Sequence, residues 1–363
     1  MKFQTKLLLL LLTVALVPLC LSFAAQQISV NYFGDKIAED ARERMEESAR
    51  SLLQTLTADY AHILHRDRSL AEMALHIQAQ AVTSRLRADP PSSPPPVYYA
   101  EDYTSPQEQP GDLTTTDKYR QTDSRGKAHP IPVSFTQQTI YLAPGVDKEQ
   151  VQDQVRRLST MPDVYRTLHN IQPELFLWQY TALESGMHVS YPGKGAYPSS
   201  YDPRERLWYM LALDHGGQIE QIMTDVSTGS MILTMAMPIH SRDGSVAGVT
   251  ALDIDYRQFF ADWNIPDQWS QSMDCMVVAY RPGRRRAPNR QLEILLRNRK
   301  EDVNRDWRIP VEQKFLDLPA EHLNALLEDI RAGRSGIHRM PYQGQEALWA
   351  YGSRTDNEPS PWL

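Results

Sequence analysis

The chain has few of the residues that mark disulfide-rich, metal-binding or nucleic-acid-binding proteins. It contains two cysteines among 363 residues, Cys20 in an apolar N-terminal run and Cys275 far downstream, so we expect no disulfide framework and no cysteine metal site. The formal net charge of −7 argues against a nucleic-acid partner, which would require a basic surface. Scarce cysteine does not exclude an extracytoplasmic location, because larger domains fold without disulfides.

The sequence also lacks the short motifs that carry common catalytic chemistry. It contains no Gly-x-Ser-x-Gly elbow, no His-Glu-x-x-His, no phosphate-binding loop and no paired-cysteine motif. The side chains of Asp253 and Asp255 lie on the same face of a predicted strand, and nothing in the sequence assigns one as a general acid and the other as a general base. Three histidines on a predicted helix lack the partners of a known metal motif (His62, His65 and His76). We therefore expect no catalysis, metal or cofactor on this chain.

The N-terminus predicts a membrane anchor. An uncharged apolar run extends from Leu7 to Ala25, close to the length that crosses a bilayer. Lysines precede the run and acidic residues follow it, so the positive-inside rule keeps residues 1–27 as a cytoplasmic tip and inner-membrane anchor and exports the rest to the periplasm. A cleaved signal peptide is the alternative, because Ser22-Phe23-Ala24 resembles a cleavage site.

Residues 28–88 are predicted to form a long stalk helix. This segment has a single glycine and no proline, and its apolar residues recur at spacings of three and four, among them Tyr60, Met73 and Ile77. Such a helix packs on a globular domain, on a dimer partner, or on both, and its length suggests a homodimer.

Residues 89–132 are predicted to form a proline-rich loop that wraps the domain and is pinned by tyrosines (Tyr98, Tyr99 and Tyr103). A short strand is predicted at Thr139–Leu142 and a helix over Asp147–Met161, and a hairpin follows with strands at Leu175–Thr181 and Met187–Tyr191. Because side chains alternate along a strand, Trp178 and Tyr180 share one face, and we expect them to line a pocket.

The segment Tyr201–Tyr209 (YDPRERLWY) is the most informative in the chain. It follows a loop rich in Gly, Pro and Ser, and it combines arginine with large aromatic side chains. A guanidinium suits a carboxylate, and aromatic rings supply flat apolar walls, so the segment favours a pocket for a small anionic or zwitterionic ligand. The alternative is a helix start with Asp202 as N-cap, Pro203 as its first residue and the aromatic rings in the core.

Two further motifs follow in order. One is Met223-Thr224-Asp225-Val226-Ser227-Thr228-Gly229, and the other is a pair of apolar runs joined by Asp243-Gly244, which predicts a hairpin. In this order the three motifs resemble the double Cache extracellular sensor domain of bacterial membrane receptors. The resemblance covers roughly Leu175 to Phe260. It implies an α+β fold in which a long N-terminal helix precedes two PAS-like Cache modules with antiparallel sheets.

The resemblance also implies ligand-binding residues, since a subset of this family binds free amino acids. By position, Tyr201, Arg206 and Trp208 would hold a carboxylate, whereas Tyr209, Asp225 and Asp253 would face an ammonium group. Met223 departs from the pattern, which has tyrosine there, so another amine, a carboxylic acid or a larger ligand stays open. The alternatives are a structural Arg206–Asp253 ion pair, an Asp225 that only caps a turn, and a Trp208 that only fills the core.

The expected organisation is a membrane-distal module over residues 89–268 and a smaller, truncated membrane-proximal module over 269–363. The second module is predicted to hold a strand at Cys275–Tyr280, a strand or short helix at Gln291–Leu296, a helix over Pro319–Ala332 and a final hairpin over Ile337–Gly352. The basic run 281–290 is expected to be a solvated loop or a contact with anionic lipid.

The function implied by the resemblance is that of an extracytoplasmic sensor region. A small polar ligand (an amino acid, amine or carboxylate) would bind in the distal module, and the long helix would transmit a shift. The region from Tyr180 to Tyr209 is also similar to receptors with a serine/threonine phosphatase output, which no residue of this chain carries. The alternative is a structural or interaction module without a small-molecule ligand.

Overall fold

The computed structural model describes residues 3–122, 127–255, 273–281, 290–297, 307–308, 311–342 and 344–352. The chain forms two compact units, one made from Met1–Asp59 and Arg334–Gly352 and the other containing Tyr60–Gly333. Most of the predicted basic run, residues 282–289, and the predicted C-terminal end of the second module at Trp362 lie outside the described residues. The domain boundaries predicted from the sequence stay a prediction.

Five α-helices and fourteen strands are described. The helices are α1 (Phe3–Arg87), α2 (Gln152–Leu158), α3 (Met161–Ile171), α4 (Leu207–His215) and α5 (Ala320–Arg331). The strands are β1 (Tyr98–Tyr99), β2 (Arg120–Thr122), β3 (Ala128–Pro130), β4 (Thr139–Leu142), β5 (Phe176–Leu183), β6 (Met187–Tyr191), β7 (Ile219–Thr224), β8 (Met231–His240), β9 (Val246–Asp255), β10 (Met276–Tyr280), β11 (Leu292–Arg297), β12 (Lys314–Phe315), β13 (Gly336–Tyr342) and β14 (Gln345–Tyr351).

The predicted anchor and stalk are one continuous helix. Helix α1 ends at Arg87, shortly before Pro90 and Pro91, whose rings disfavour helical backbone in the residues that precede them. Among the described residues, α1 is the one helix long and apolar enough to cross a membrane. In the unit that contains its N-terminal part, β13 and β14 pair as an antiparallel hairpin, as predicted, and Arg339 on β13 forms an ion pair with Glu46 on α1.

The largest sheet has seven strands in the order β1-β4-β6-β5-β9-β8-β7. Strand β1 pairs in parallel with β4, and the other neighbours are antiparallel. The predicted Asp243-Gly244 turn joins β8 to β9, with Gly244 at a φ of 86° that favours glycine. The predicted α+β class, with a long helix followed by antiparallel sheets of the Cache type, is confirmed.

One face of this sheet packs against the C-terminal part of α1. The contact consists of small and apolar helix residues, such as Ala71, Ala74 and Leu75, against Leu252 and Ile254 of β9. The predicted helix face was wrong in part, because the side chains of Met73 and Ile77 are 50% and 42% exposed. Small side chains allow the helix to approach the sheet closely, and hydropathy alone does not identify them as core.

Gln78 is the polar centre of the contact between helix and sheet. The side chain is fully buried, and its Nε2 donates to Thr250 Oγ1 at 2.7 Å, to Ala251 O at 2.9 Å and to Tyr180 O at 3.2 Å. Its Oε1 accepts from Gln179 Nε2 at 3.2 Å. Buried polar groups are tolerated when they are hydrogen-bonded, so this amide fixes the register of α1 on β5 and β9.

The elements around this core correct one prediction and resolve another that was left open. The helix predicted over Asp147–Met161 is shorter, and a separate helix, α3, begins at Met161, where Pro162 suits the first turn. The open choice at Gln291–Leu296 resolves as strand β11, which pairs with β10 and β12. In the proline-rich segment, the predicted role of Tyr103 is confirmed, since its hydroxyl donates to Gln138 O at 3.0 Å from a buried position.

We predict that Gln78→Ala lowers the free energy of unfolding by about 2–4 kcal/mol, because the buried Gln179 Nε2 loses its hydrogen-bond partner and Thr250, Ala251 and Tyr180 each lose a donor. Urea denaturation of the purified chain, followed by tryptophan fluorescence, measures the change. Gln80→Ala is the matched control, since Gln80 is exposed on the same helix, and it should change stability by less than about 0.5 kcal/mol. Equal effects of the two substitutions would contradict the assigned role of Gln78.

Candidate ligand-binding site

The face of the sheet opposite α1 carries a row of polar and aromatic side chains. Trp178 on β5 and Thr234 on β8 both lie directly opposite Asp253 on the intervening strand β9. Tyr180 follows Trp178 by two residues and therefore shares its face, as predicted. A bulge at Leu177 shifts the register, which turns Phe176 towards the core on the helix side and Trp178 towards this face.

The segment Tyr201–Tyr209 forms a wall over this face. The Asp202 side chain accepts from Arg204 N at 2.9 Å and caps a short 3-10 turn, Pro203–Glu205. Arg206 then adopts extended backbone, with φ −79° and ψ 143°, and α4 begins at the next residue. The single helix start predicted here is therefore a capped 3-10 turn, Pro203–Glu205, followed by the separate start of α4. Arg206 lies between the two elements, so its side chain is set apart from those of α4.

These elements enclose a pocket of about 420 Å³, counting all unoccupied space including the opening to solvent. Every predicted site residue except Tyr209 lines it, namely Trp178, Tyr180, Tyr201, Arg206, Trp208, Asp225 and Asp253. Tyr209 is buried beside Trp208, with ring centroids 5.6 Å apart, and is not among the lining residues. Met223, where the family pattern has tyrosine, also lines the pocket.

Asp253 lies at the floor of the pocket. Its Oδ1 accepts from Thr234 Oγ1 at 2.7 Å and from the Tyr180 hydroxyl at 2.8 Å, and its Oδ2 accepts no hydrogen bond from the described residues. Burial, together with the nearby Asp225 carboxylate, raises the pKa of Asp253 to about 8. This carboxyl is therefore mainly protonated at pH 7.

Asp225 has a structural role at the edge of the pocket. Its side chain accepts from Thr228 Oγ1 at 2.6 Å, Thr228 N at 2.8 Å and Ser227 N at 3.2 Å, so it caps the turn, as one sequence alternative held. It also accepts from Trp178 Nε1 at 3.1 Å, which fixes the indole in the pocket wall. The alternative held that Asp225 only caps this turn, whereas its carboxylate also accepts from Trp178 and lines the pocket.

Arg206 does not form the ion pair with Asp253 that was one sequence alternative. Among the described residues its hydrogen-bond partner is the carbonyl oxygen of Trp307, which accepts from Nη1 at 2.7 Å, and its guanidinium lies 4.7 Å from the centre of the Trp307 ring. These contacts hold a half-buried cation at the pocket with donors left for a ligand.

Sequence reasoning missed a second cation in the pocket wall, Lys194. This residue lies between two glycines in the loop that precedes the 201–209 segment, and it is 3% exposed. Its Nζ lies 3.8 Å from the centre of the Tyr197 ring and 5.1 Å from that of Trp178. The available signal was a lysine flanked by two glycines just before the 201–209 segment. This signal was not decisive, because lysine side chains are usually exposed at the protein surface.

His188 on β6 also lines the pocket and adds no charge to it. Burial, with a smaller contribution from the Lys194 ammonium, lowers the pKa of His188 to about 3, so its ring is neutral at pH 7. The pocket thus contains two cationic side chains, Lys194 and Arg206, and two carboxyl groups, Asp225 and Asp253.

Comparison with curated proteins relates the sequence to a chemotaxis receptor. Methyl-accepting chemotaxis protein McpB of Bacillus subtilis (strain 168) is 42% identical over 79 residues, which are 21% of this chain and 11% of that protein. The chain resembles a bacterial chemoreceptor. This match bears out the resemblance to the sensor domains of membrane receptors, while the chain spans about a tenth of the length of its curated relative. A scan against protein-family models finds no match.

Several solved structures with which the chain aligns in part are ligand-binding or sensory domains of chemoreceptors. The ligand-binding domain of PctC from Pseudomonas aeruginosa PAO1, in complex with GABA, is 29% identical over 29% of this chain and 46% of its own length, with a TM-score of 0.25. PctB from the same organism, in complex with L-Gln, is 19% identical over 52% and 66%, with a TM-score of 0.32. The sensory domain of Campylobacter jejuni Tlp3, with isoleucine bound, is 12% identical over 56% and 71%, with a TM-score of 0.32.

We predict different effects on stability for two threonines near the pocket. Thr228→Val removes the hydroxyl that donates to Asp225 and should lower the free energy of unfolding by about 1–2 kcal/mol. Thr224→Val removes a buried hydroxyl that has no hydrogen-bond partner among the described residues, so stability should stay within about 0.5 kcal/mol or increase. Urea denaturation compares the two. A destabilising Thr224→Val with a neutral Thr228→Val would contradict the description of the turn.

Proposed function

We propose that this chain is the extracytoplasmic sensor region of a bacterial membrane receptor and binds a small polar molecule (an amino acid, amine or carboxylate). One observation carries the proposal: a single pocket holds cations, aromatic walls and a carboxyl oxygen that accepts no hydrogen bond from the described residues. Buried charged groups are costly unless they are paired, and a ligand of complementary charge would supply the missing partners.

The distribution of charge supports a ligand with both an acidic and a basic group. Arg206 keeps donors for a carboxylate, whereas Asp253 Oδ2 is positioned to accept from an ammonium group. Aromatic side chains next to these groups stabilise an ammonium through the negative faces of their rings, and they exclude water that would weaken both contacts. Trp178, Tyr180, Tyr201 and Trp208 provide these walls.

The proposed output is a shift of α1. Gln78 connects this helix to the backbone of Tyr180, whose side chain is in the pocket wall, so the ligand site and the helix share one strand. The apolar N-terminal segment of α1 would anchor the chain in the inner membrane, with the pocket in the periplasm and a second copy alongside as a homodimer. A ligand can bias the helix only by its difference in affinity for two states.

The proposal predicts stabilisation of the purified chain by a ligand in a thermal-shift screen of amino acids, amines and small carboxylates. At a concentration 100 times its dissociation constant, a ligand stabilises the folded state by about 2.7 kcal/mol. Arg206→Ala should weaken a carboxylate ligand by about 10- to 100-fold, because it removes charged hydrogen bonds.

Arg204→Ala is the matched control. Arg204 lies two residues earlier, pairs with Asp202 and does not line the pocket, so this substitution should leave the shift intact. Stabilisation that persists in Arg206→Ala would remove Arg206 from the site. A well-folded chain with no hit in the whole panel would instead favour a structural or interaction module.

Protonation of Asp253 makes the binding of an amine ligand dependent on pH. Burial and Asp225 raise its pKa to about 8, and a bound ammonium would favour the charged form, so binding at pH 7 should release about one proton. Affinity should therefore rise between pH 6 and pH 7.5. The other titratable or charged groups facing Asp253 are Lys194, Arg206, Tyr180 and Tyr201.

Titration calorimetry in phosphate and in Tris measures this proton release, because the two buffers differ in ionisation enthalpy. Asp253→Asn should abolish the difference between the buffers, since an amide has no proton to lose. Identical heats in both buffers for the unmodified protein would show that Asp253 keeps its protonation state on binding.

A further inference from the structure

We propose that Lys194 is a second anion-binding group of the pocket and that the preferred ligand is a small molecule with two carboxylates, such as an acidic amino acid. The inference rests on the proposed function of the pocket as a ligand site, and it narrows the class of ligand. It depends on the burial of Lys194, on the surroundings of its ammonium group and on the charges of the other groups in the pocket wall.

The Lys194 ammonium is buried without a hydrogen-bond acceptor. The residue is 3% exposed, and its Nζ has no hydrogen-bond partner among the described residues. Lysine is almost never fully buried unless it is paired, because its charged form loses the solvation of water. Burial accordingly lowers the pKa of Lys194, to about 8, although Asp225 and Asp253 oppose this change.

The fold imposes the position of Lys194. Its backbone N donates to Thr139 Oγ1 at 2.5 Å, and the same hydroxyl donates to Lys194 O at 2.7 Å, which ties the residue to β4. The preceding residue, Gly193, lies so close to Tyr103 that a Cβ atom there would be 1.9 Å from the tyrosine hydroxyl. The loop is therefore held against the domain, and the lysine side chain extends into the pocket.

The carboxyl groups of the pocket do not satisfy this cation. Asp225 already accepts from Trp178, Ser227 and Thr228. Asp253 forms no hydrogen bond with Lys194 and is mainly protonated at pH 7. With His188 neutral as well, the two cationic side chains outnumber the one remaining carboxyl group of the pocket, that of Asp225.

The two cations come from different elements, and each can therefore hold a separate anionic group. Arg206 precedes α4, whereas Lys194 lies in the loop after β6, and both line the same pocket. A ligand whose single carboxylate pairs with Arg206 leaves the Lys194 ammonium buried without a hydrogen-bond acceptor. A site with a buried charged group discriminates strongly against an analogue that lacks the complementary group.

Calorimetric titration of the full chain in detergent with L-glutamate and L-glutamine tests the inference, since the two differ little in shape and mainly in one charge. We expect glutamate to bind at least about tenfold more tightly than glutamine. Lys194→Met, which removes the charge and keeps an unbranched side chain of similar length, should reduce this ratio to about one by weakening the binding of glutamate. Lys194→Arg should retain the preference.

Lys148→Met is the control for the loss of a lysine, because Lys148 is exposed, pairs with Glu101 and does not line this pocket. Urea denaturation followed by tryptophan fluorescence shows independently of any ligand whether Lys194→Met is folded. Equal affinities of the unmodified protein for glutamate and glutamine, or an unchanged ratio in Lys194→Met, would overturn the role of Lys194 and leave the sensor function intact. No binding of any amino acid, amine or carboxylate would overturn the proposed function itself.

Discussion

Strands β5 and β9 are buried on both faces, and this constraint determines the layout of the described domain. Helix α1 covers one face with small and apolar side chains, while α4 and the loop before it lie over the other. Because side chains alternate along a strand, neighbouring residues serve different layers: Leu252 and Ile254 pack against the helix, and Asp253 between them faces the pocket. A shift of one residue would bury the acid against the helix and expose the apolar row to the pocket, so the register is strongly specified.

The polar groups of the pocket are divided between structure and binding. Asp225 is saturated by donors from its own turn and from Trp178, so its charge is compensated without a ligand. Asp253 and Lys194 are only partly compensated, and burial shifts the pKa of each towards the neutral form. Buried ionisable groups without full compensation lower the free energy of unfolding. Natural proteins retain such groups where function requires them. The pocket thus combines a rigid frame with two groups whose charge depends on what occupies the site.

Much of the fold could be predicted from the sequence because it is encoded locally. The Asp243-Gly244 hairpin, the common face of Trp178 and Tyr180, and the grouping of most motif residues in one pocket follow from turn chemistry and strand alternation. The buried face of α1 was harder to predict, because alanine and a hydrogen-bonded glutamine carry little hydropathy signal. The contact of Arg206 with Trp307 joins residues 101 positions apart, and the burial of Lys194 depends on how a glycine-flanked loop closes. No local sequence pattern indicates the Arg206–Trp307 contact or the burial of Lys194.

Gln78 on α1 hydrogen-bonds to β5, and β5 also carries side chains of the pocket wall, so one strand connects the helix to the pocket. Its amide binds the main-chain oxygen of Tyr180, while the hydroxyl of the same tyrosine binds Asp253 on the opposite face. A displacement of Tyr180 therefore changes hydrogen bonds on both faces of the sheet at once. No intermediate layer of side chains has to repack. Under the proposed sensor function, transmission over such a short path would need only a small movement. A sheet that deformed easily at Tyr180 would then uncouple the binding of a ligand from the position of the helix.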